Sequence, residues 1–144
     1  RQTVHSIFGT REALVSEAMA DLTRAATDDL RAATGRTGNP VDFVVELIVG
    51  GVGFARSTPA IAAMIGVGGG NPLFDPGVLT RAKVVALEFL EPIAKDFDRI
   101  DEVAEVATHL SLTFFLFGEP DQRPEELRAL LGRWLVPALT ELAR

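Results

Sequence analysis

Thirteen consecutive residues, Val106 to Gly118, carry no charge. They follow an acidic run of Asp96, Asp98, Asp101, Glu102 and Glu105, which suits the start of a helix because the helix dipole favours negative charge there. A helix that is apolar all round must be buried on every side. Leu110, Phe114 and Phe117 lie on one side of such a helix, with Leu112 and Phe115 elsewhere, so one neighbour cannot cover them. The chain therefore has to bring several helices together.

The rest of the sequence can supply them. Apolar residues recur at spacings of three and four, alternating strand patterns are absent, and clusters of Gly, Pro, Asn and Asp punctuate the runs. The expected class is all-α. After a short first fragment, Thr10 caps a long helix that runs to about Thr34, and Gly35 to Gly38 break it. Asn39-Pro40 supplies a cap and a first-position proline for a helix reaching about Arg56. Its apolar face is Phe43, Val44, Leu47, Ile48 and Phe54. Gly50, Gly51 and Gly53 inside it each cost about 1 kcal/mol relative to alanine. Close helix contact and room for a ligand are the two physical reasons to keep them.

Thr58-Pro59 opens a short helix to about Ile65, before the glycine-rich stretch Gly66 to Asn71. Asp75-Pro76 starts the next helix, which Pro92 should kink or end because proline lacks the amide hydrogen. Asp98 to Gly118 follows. Pro124 then starts a last helix carrying Leu127, Leu130, Leu131, Trp134, Leu135, Ala138, Leu139 and Leu142, with a bend at Pro137. The expectation is six helices and an N-terminal stub in one core, without internal repeats; 144 residues suffice for that.

Several chemistries lack their residues. There is no cysteine, and the two histidines, His5 and His109, stand in no metal-ligand spacing. No metal and no cofactor are expected. The glycine-rich segment lacks the spacing and the lysine of a phosphate-binding loop, and the acidic run does not match a calcium loop. The uncharged stretch Ser57 to Phe74 contains two prolines and four glycines, a poor membrane span. With no signal peptide at its head, the chain is expected to be cytoplasmic and to have no membrane partner.

The start of the chain is more specific. Thr3, Val4, His5, Phe8, Arg11, Glu12 and Leu14 fill seven positions in twelve, in a short helix, a break at Gly9 and a capped helix. This pattern resembles the end of the DNA-binding head of the tetracycline-repressor (TetR) family of transcriptional regulators. The resemblance implies that residues 1–9 are the end of a helix-turn-helix head, most of its recognition helix. Residues 10–144 would be a ligand-binding and dimerising domain, closed by a four-helix bundle with a second copy. Arg1 and Gln2 would read guanine and adenine, Thr3 and His5 would touch phosphate, and Arg11 would add a phosphate contact beside a helix N-terminus. The two helices that precede a recognition helix in that family are missing and the first residue is not methionine. The expectation is a fragment that would not hold an operator tightly by itself.

The implied function is that of a ligand-responsive regulator, a homodimeric repressor that a small apolar effector releases from operator DNA. Candidate interface residues are Leu110, Phe114 and Phe117 on the uncharged helix and Leu127, Leu131, Trp134 and Ala138 on the last one; aromatic anchors such as Trp134 are frequent in interface cores. Candidate pocket residues are Phe43, Leu47, Phe54, Met64, Ile65, Phe89, His109 and Thr113, the last two as the polar groups of an apolar pocket. The rival readings are a helical enzyme using Glu46 or Glu88, and a purely structural helical dimer. No nucleophile, metal cluster or cofactor motif accompanies those carboxylates, so no enzymatic activity is expected.

Charge divides close to that boundary. The chain is at −6, yet residues 1–11 hold Arg1 and Arg11 without an acid, a net of +2, leaving −8 for the rest. An acidic body opposes non-specific contact with DNA and says little about the head.

Overall fold

The computed structural model describes Ala32 and residues 38–59 and 77–144. Among these the protein is all-helical, with five α-helices and one 3-10 turn. The expected helices from Thr10 to about Thr34 and from Thr58 to Ile65 lie essentially outside the described residues.

Helix α1, Pro40–Ser57, starts where Asn39 caps it: the Asn39 side-chain oxygen accepts from the Val41 amide at 2.9 Å. At its other end the Thr58 hydroxyl and amide both donate to the Phe54 carbonyl, at 2.8 and 3.0 Å. Helix α2, Val78–Leu90, stops just before Pro92, and Glu91–Asp96 tightens into the 3-10 turn. The proline thus ends the helix, through its missing donor and its clash with the preceding turn. Helix α3 is Ile100–Phe117, with Asp101 and Glu102 in its first turn.

The single last helix expected from the sequence is two, α4 (Pro124–Trp134) and α5 (Val136–Leu142). Pro137 lacks the amide that would continue the ladder, and the chain breaks two residues earlier, at the buried Leu135.

The helix buried on most sides is α1. Its expected face is joined by Val41, Val45, Val49 and Val52, all buried, and Ile48 is fully enclosed. Those valines form a second stripe beside Phe43, Val44, Leu47 and Ile48, so α1 can be the spine on which α3, α4 and α5 pack. Helix α3 also packs along α2. Its buried residues are Val103, Ala104, Ala107, Thr108 and Phe115.

Contrary to the expectation of burial on every side, α3 keeps an uncovered stripe within this chain: Val106, His109, Thr113 and Phe117 are exposed. On α4, Leu130 and Trp134 are exposed as well.

Polar ties fix the helix ends. Arg56 of α1 donates to the Phe114 carbonyl at 2.9 Å and to the Gln122 carbonyl at 3.4 Å. A cation there adds a second bond to a terminal carbonyl of α3 that already accepts from the Gly118 amide at 3.1 Å, and suits the negative end of the helix dipole. Gly118 has to be glycine for this, because a β-carbon would collide with the Phe114 carbonyl and the Arg56 guanidinium.

A second tie joins α5 to the start of α3. Phe97 and Ala143 form an antiparallel bridge, the Asp98 amide donates to the Leu142 carbonyl at 3.2 Å, and the Arg144 amide donates to the Asp96 carbonyl at 2.9 Å.

Candidate functional site

Helices α1, α2 and α3, with the start of α4, line a cavity of about 570 Å³ that is open to solvent on one side. That lies within the ~300–1,000 Å³ range of pockets for small organic molecules. The α1 wall is Leu47, Val49, Gly50, Gly51, Gly53, Phe54, Ala55 and Ser57. Helix α2 adds Ala82, Val85, Ala86 and Phe89, and α3 adds Ala107, Thr108, Ser111, Leu112 and Phe115. Pro124 and Arg128 close the side formed by α4.

The α1 glycines explain part of this space. A β-carbon built on Gly51 or Gly53 meets nothing within 4 Å. Close helix contact is therefore not what these two glycines serve, and they border the opening instead.

Arg128 is held in place by Glu46 of α1. Its Nε and Nη2 donate to the two carboxylate oxygens at 2.6 and 2.9 Å, a forked pair. That hydrogen bond raises the Arg128 pKa above its ordinary value, so the guanidinium stays charged. The Thr108 hydroxyl donates to the Ala104 carbonyl at 2.7 Å and the Ser57 hydroxyl to the Phe54 carbonyl at 3.1 Å.

Of the pocket residues expected from the sequence, Leu47, Phe54 and Phe89 line the cavity. Phe43 is buried in the core and does not line it. Met64 and Ile65 lie outside the described residues. His109 and Thr113 are on the exposed face of α3, away from the lining, and the His109 ring Nδ1 bonds the Glu105 carbonyl at 2.8 Å. The polar residues that α3 turns to the cavity are Thr108 and Ser111. A signal for this lay in the sequence, since Glu102 stands seven residues before His109 and shares its helical face.

Of the expected interface residues, Leu127 and Leu131 are buried in the chain's own core. Leu110 and Phe114 are half-buried against that core. Phe117 and Trp134 are 74% and 73% exposed, and Ala138 is exposed too. The expected DNA contacts Arg1, Gln2, Thr3, His5 and Arg11 lie outside the described residues. Glu88 is exposed, while Glu46 is committed to Arg128.

Among the described residues no group of three His, Asp or Glu side chains is placed to hold a metal ion, and no helix is long and apolar enough to cross a membrane. The chain has no significant match among protein-family models, curated proteins or solved structures.

Proposed function

We propose that the chain is the effector-binding and dimerising body, with the end of the DNA-binding head, of a regulator of the TetR type. It would act as a homodimeric repressor that leaves operator DNA when a small apolar molecule fills the cavity. The pattern from Thr3 to Leu14 carries this reading. The cavity and the exposed face of α3, with Val106 and Phe117 on it, support it, because such a regulator needs an effector site and a partner surface.

The two surfaces meet in α3. One face of that helix walls the cavity through Ala107, Ser111 and Phe115, and the opposite face leaves Val106 and Phe117 uncovered. In the proposed dimer, α3 and α4–α5 pack on their counterparts, with Trp134 and Phe117 as anchors, Ala138 beside them and Leu110 and Phe114 at the edge. Leu127 and Leu131 support that face from beneath.

A dimer reading two half-sites holds its recognition helices about 34–36 Å apart, or at multiples of the helical turn. An effector that favours another spacing weakens the grip, and a hundredfold loss of operator affinity needs about 2.7 kcal/mol of coupling between the sites. Gel-shift titration of the intact protein on the DNA upstream of its own gene, at low salt, tests the reading. A discrete retarded complex is expected. No complex at any protein concentration would overturn it.

A further inference from the structure

The cavity wall is selective in its polar groups as well as in its apolar ones. Gly51, Gly53, Ala82, Val85 and Phe115 present hydrocarbon or bare backbone. Thr108 and Ser57 have already given their hydroxyl protons to backbone carbonyls. Ser111 has not: it lines the cavity, half-buried, and its hydroxyl makes no hydrogen bond to the described residues.

Arg128 is the charged side chain among the described lining residues. Glu46 neutralises it and uses Nε and one Nη2 hydrogen, while Nη1 stands 4.0 Å from Glu125, beyond hydrogen-bond reach. The guanidinium is therefore oriented, electrically matched and still has N–H groups to donate.

We propose that the cavity takes an uncharged, largely apolar molecule bearing one hydrogen-bonding oxygen, a hydroxyl or a carbonyl, which the Ser111 hydroxyl receives. A carboxylate is disfavoured. It would lose its hydration against apolar walls and find the one lining cation already paired, so it would have to displace Glu46. An ammonium would have Arg128 as its neighbour. A pure hydrocarbon would fit but would leave the Ser111 hydroxyl unused. The inference deepens the effector reading above and rests on it.

Isothermal titration of the whole chain with naphthalene, 2-naphthol, 2-naphthoate and 2-naphthylmethylammonium provides the test. One added hydrogen bond predicts that 2-naphthol binds about tenfold more tightly than naphthalene, with both ions weaker than 2-naphthol. Ser111→Ala should bring 2-naphthol to the affinity of naphthalene and leave naphthalene unchanged. Gly51→Leu, which grows into open space, should remove binding of both.

The proposal is overturned by 2-naphthoate binding as tightly as 2-naphthol, by an unchanged preference in Ser111→Ala, or by no binding of any of the four. Operator binding is read separately by gel shift. A naphthol preference without operator binding supports this site and overturns only the regulator reading; operator binding with no preference does the reverse.

Discussion

A glycine in a helix interior is a cost without an obvious return, and Gly51 and Gly53 show where to look for one. Neither would clash as alanine. Gly51→Ala and Gly53→Ala are therefore each expected to stabilise the protein by about 0.5–1 kcal/mol, read by urea unfolding. Destabilisation by either would mean that a contact requires the glycine. At the start of α4, Glu126 accepts hydrogen bonds from the Arg123 side chain and amide, which hold its carboxyl below the ordinary glutamate value. A depressed folded pKa contributes stability that is present above the unfolded value of about 4.3 and lost as pH falls through the folded one. In a carboxyl-detected NMR titration Glu126 should titrate below about 4.3, and Arg123→Ala should return it toward that value.

Among the elements, the ends were more legible than the faces. Asn39-Pro40 and Pro92 act locally, through a side-chain cap and a missing amide, so the sequence marked the start of α1 and the end of α2. Which helix becomes the spine depends on what packs around it. The charge-free run pointed to α3, but the Val41, Val45, Val49 and Val52 stripe makes α1 the enclosed one. The cavity was legible in Leu47, Phe54, Phe89 and the glycines. Ser111 and Arg128 were not, because Ser111 and Thr113 stand on nearly opposite faces of α3, about 160° apart, and packing decides which face turns to the cavity, while Arg128 arrives from a helix distant in sequence. Arg56 is another long-range partner that periodicity does not reveal. Replacing it by Met removes two bonds from a cation to carbonyls, at the end of α3 and in the loop before α4. A loss of about 2 kcal/mol is expected in urea unfolding, with faster amide exchange at Gly118. Unchanged stability would show that the tie is incidental.

For the whole molecule, the exposed faces of α3 and α4 are where the proposed dimer would form. Phe117 and Trp134 are both largely exposed to solvent, and buried aromatic anchors commonly dominate an interface. Phe117→Asp and Trp134→Ala should each raise the dissociation constant of the proposed dimer at least tenfold in sedimentation equilibrium, since a residue losing more than about 1.4 kcal/mol of binding does so. Both lie outside the core, so helicity should be kept. A monomer for the unmutated chain at high micromolar concentration would refute the prediction.

The tie between Phe97 and Ala143 has a kinetic side. It closes the long segment from α3 through α5 upon itself, and closing a loop that long opposes the bond with chain entropy. Its hydrogen bonds are few, and the Arg144–Asp98 pair beside them is solvent-exposed. Local opening should therefore begin at this bridge, with the Asp98 and Arg144 amides exchanging with solvent well before that of Ile48, while Leu139 keeps α5 in the core. The Phe97–Ala143 bridge is thus the seam at which the described helices are expected to loosen first.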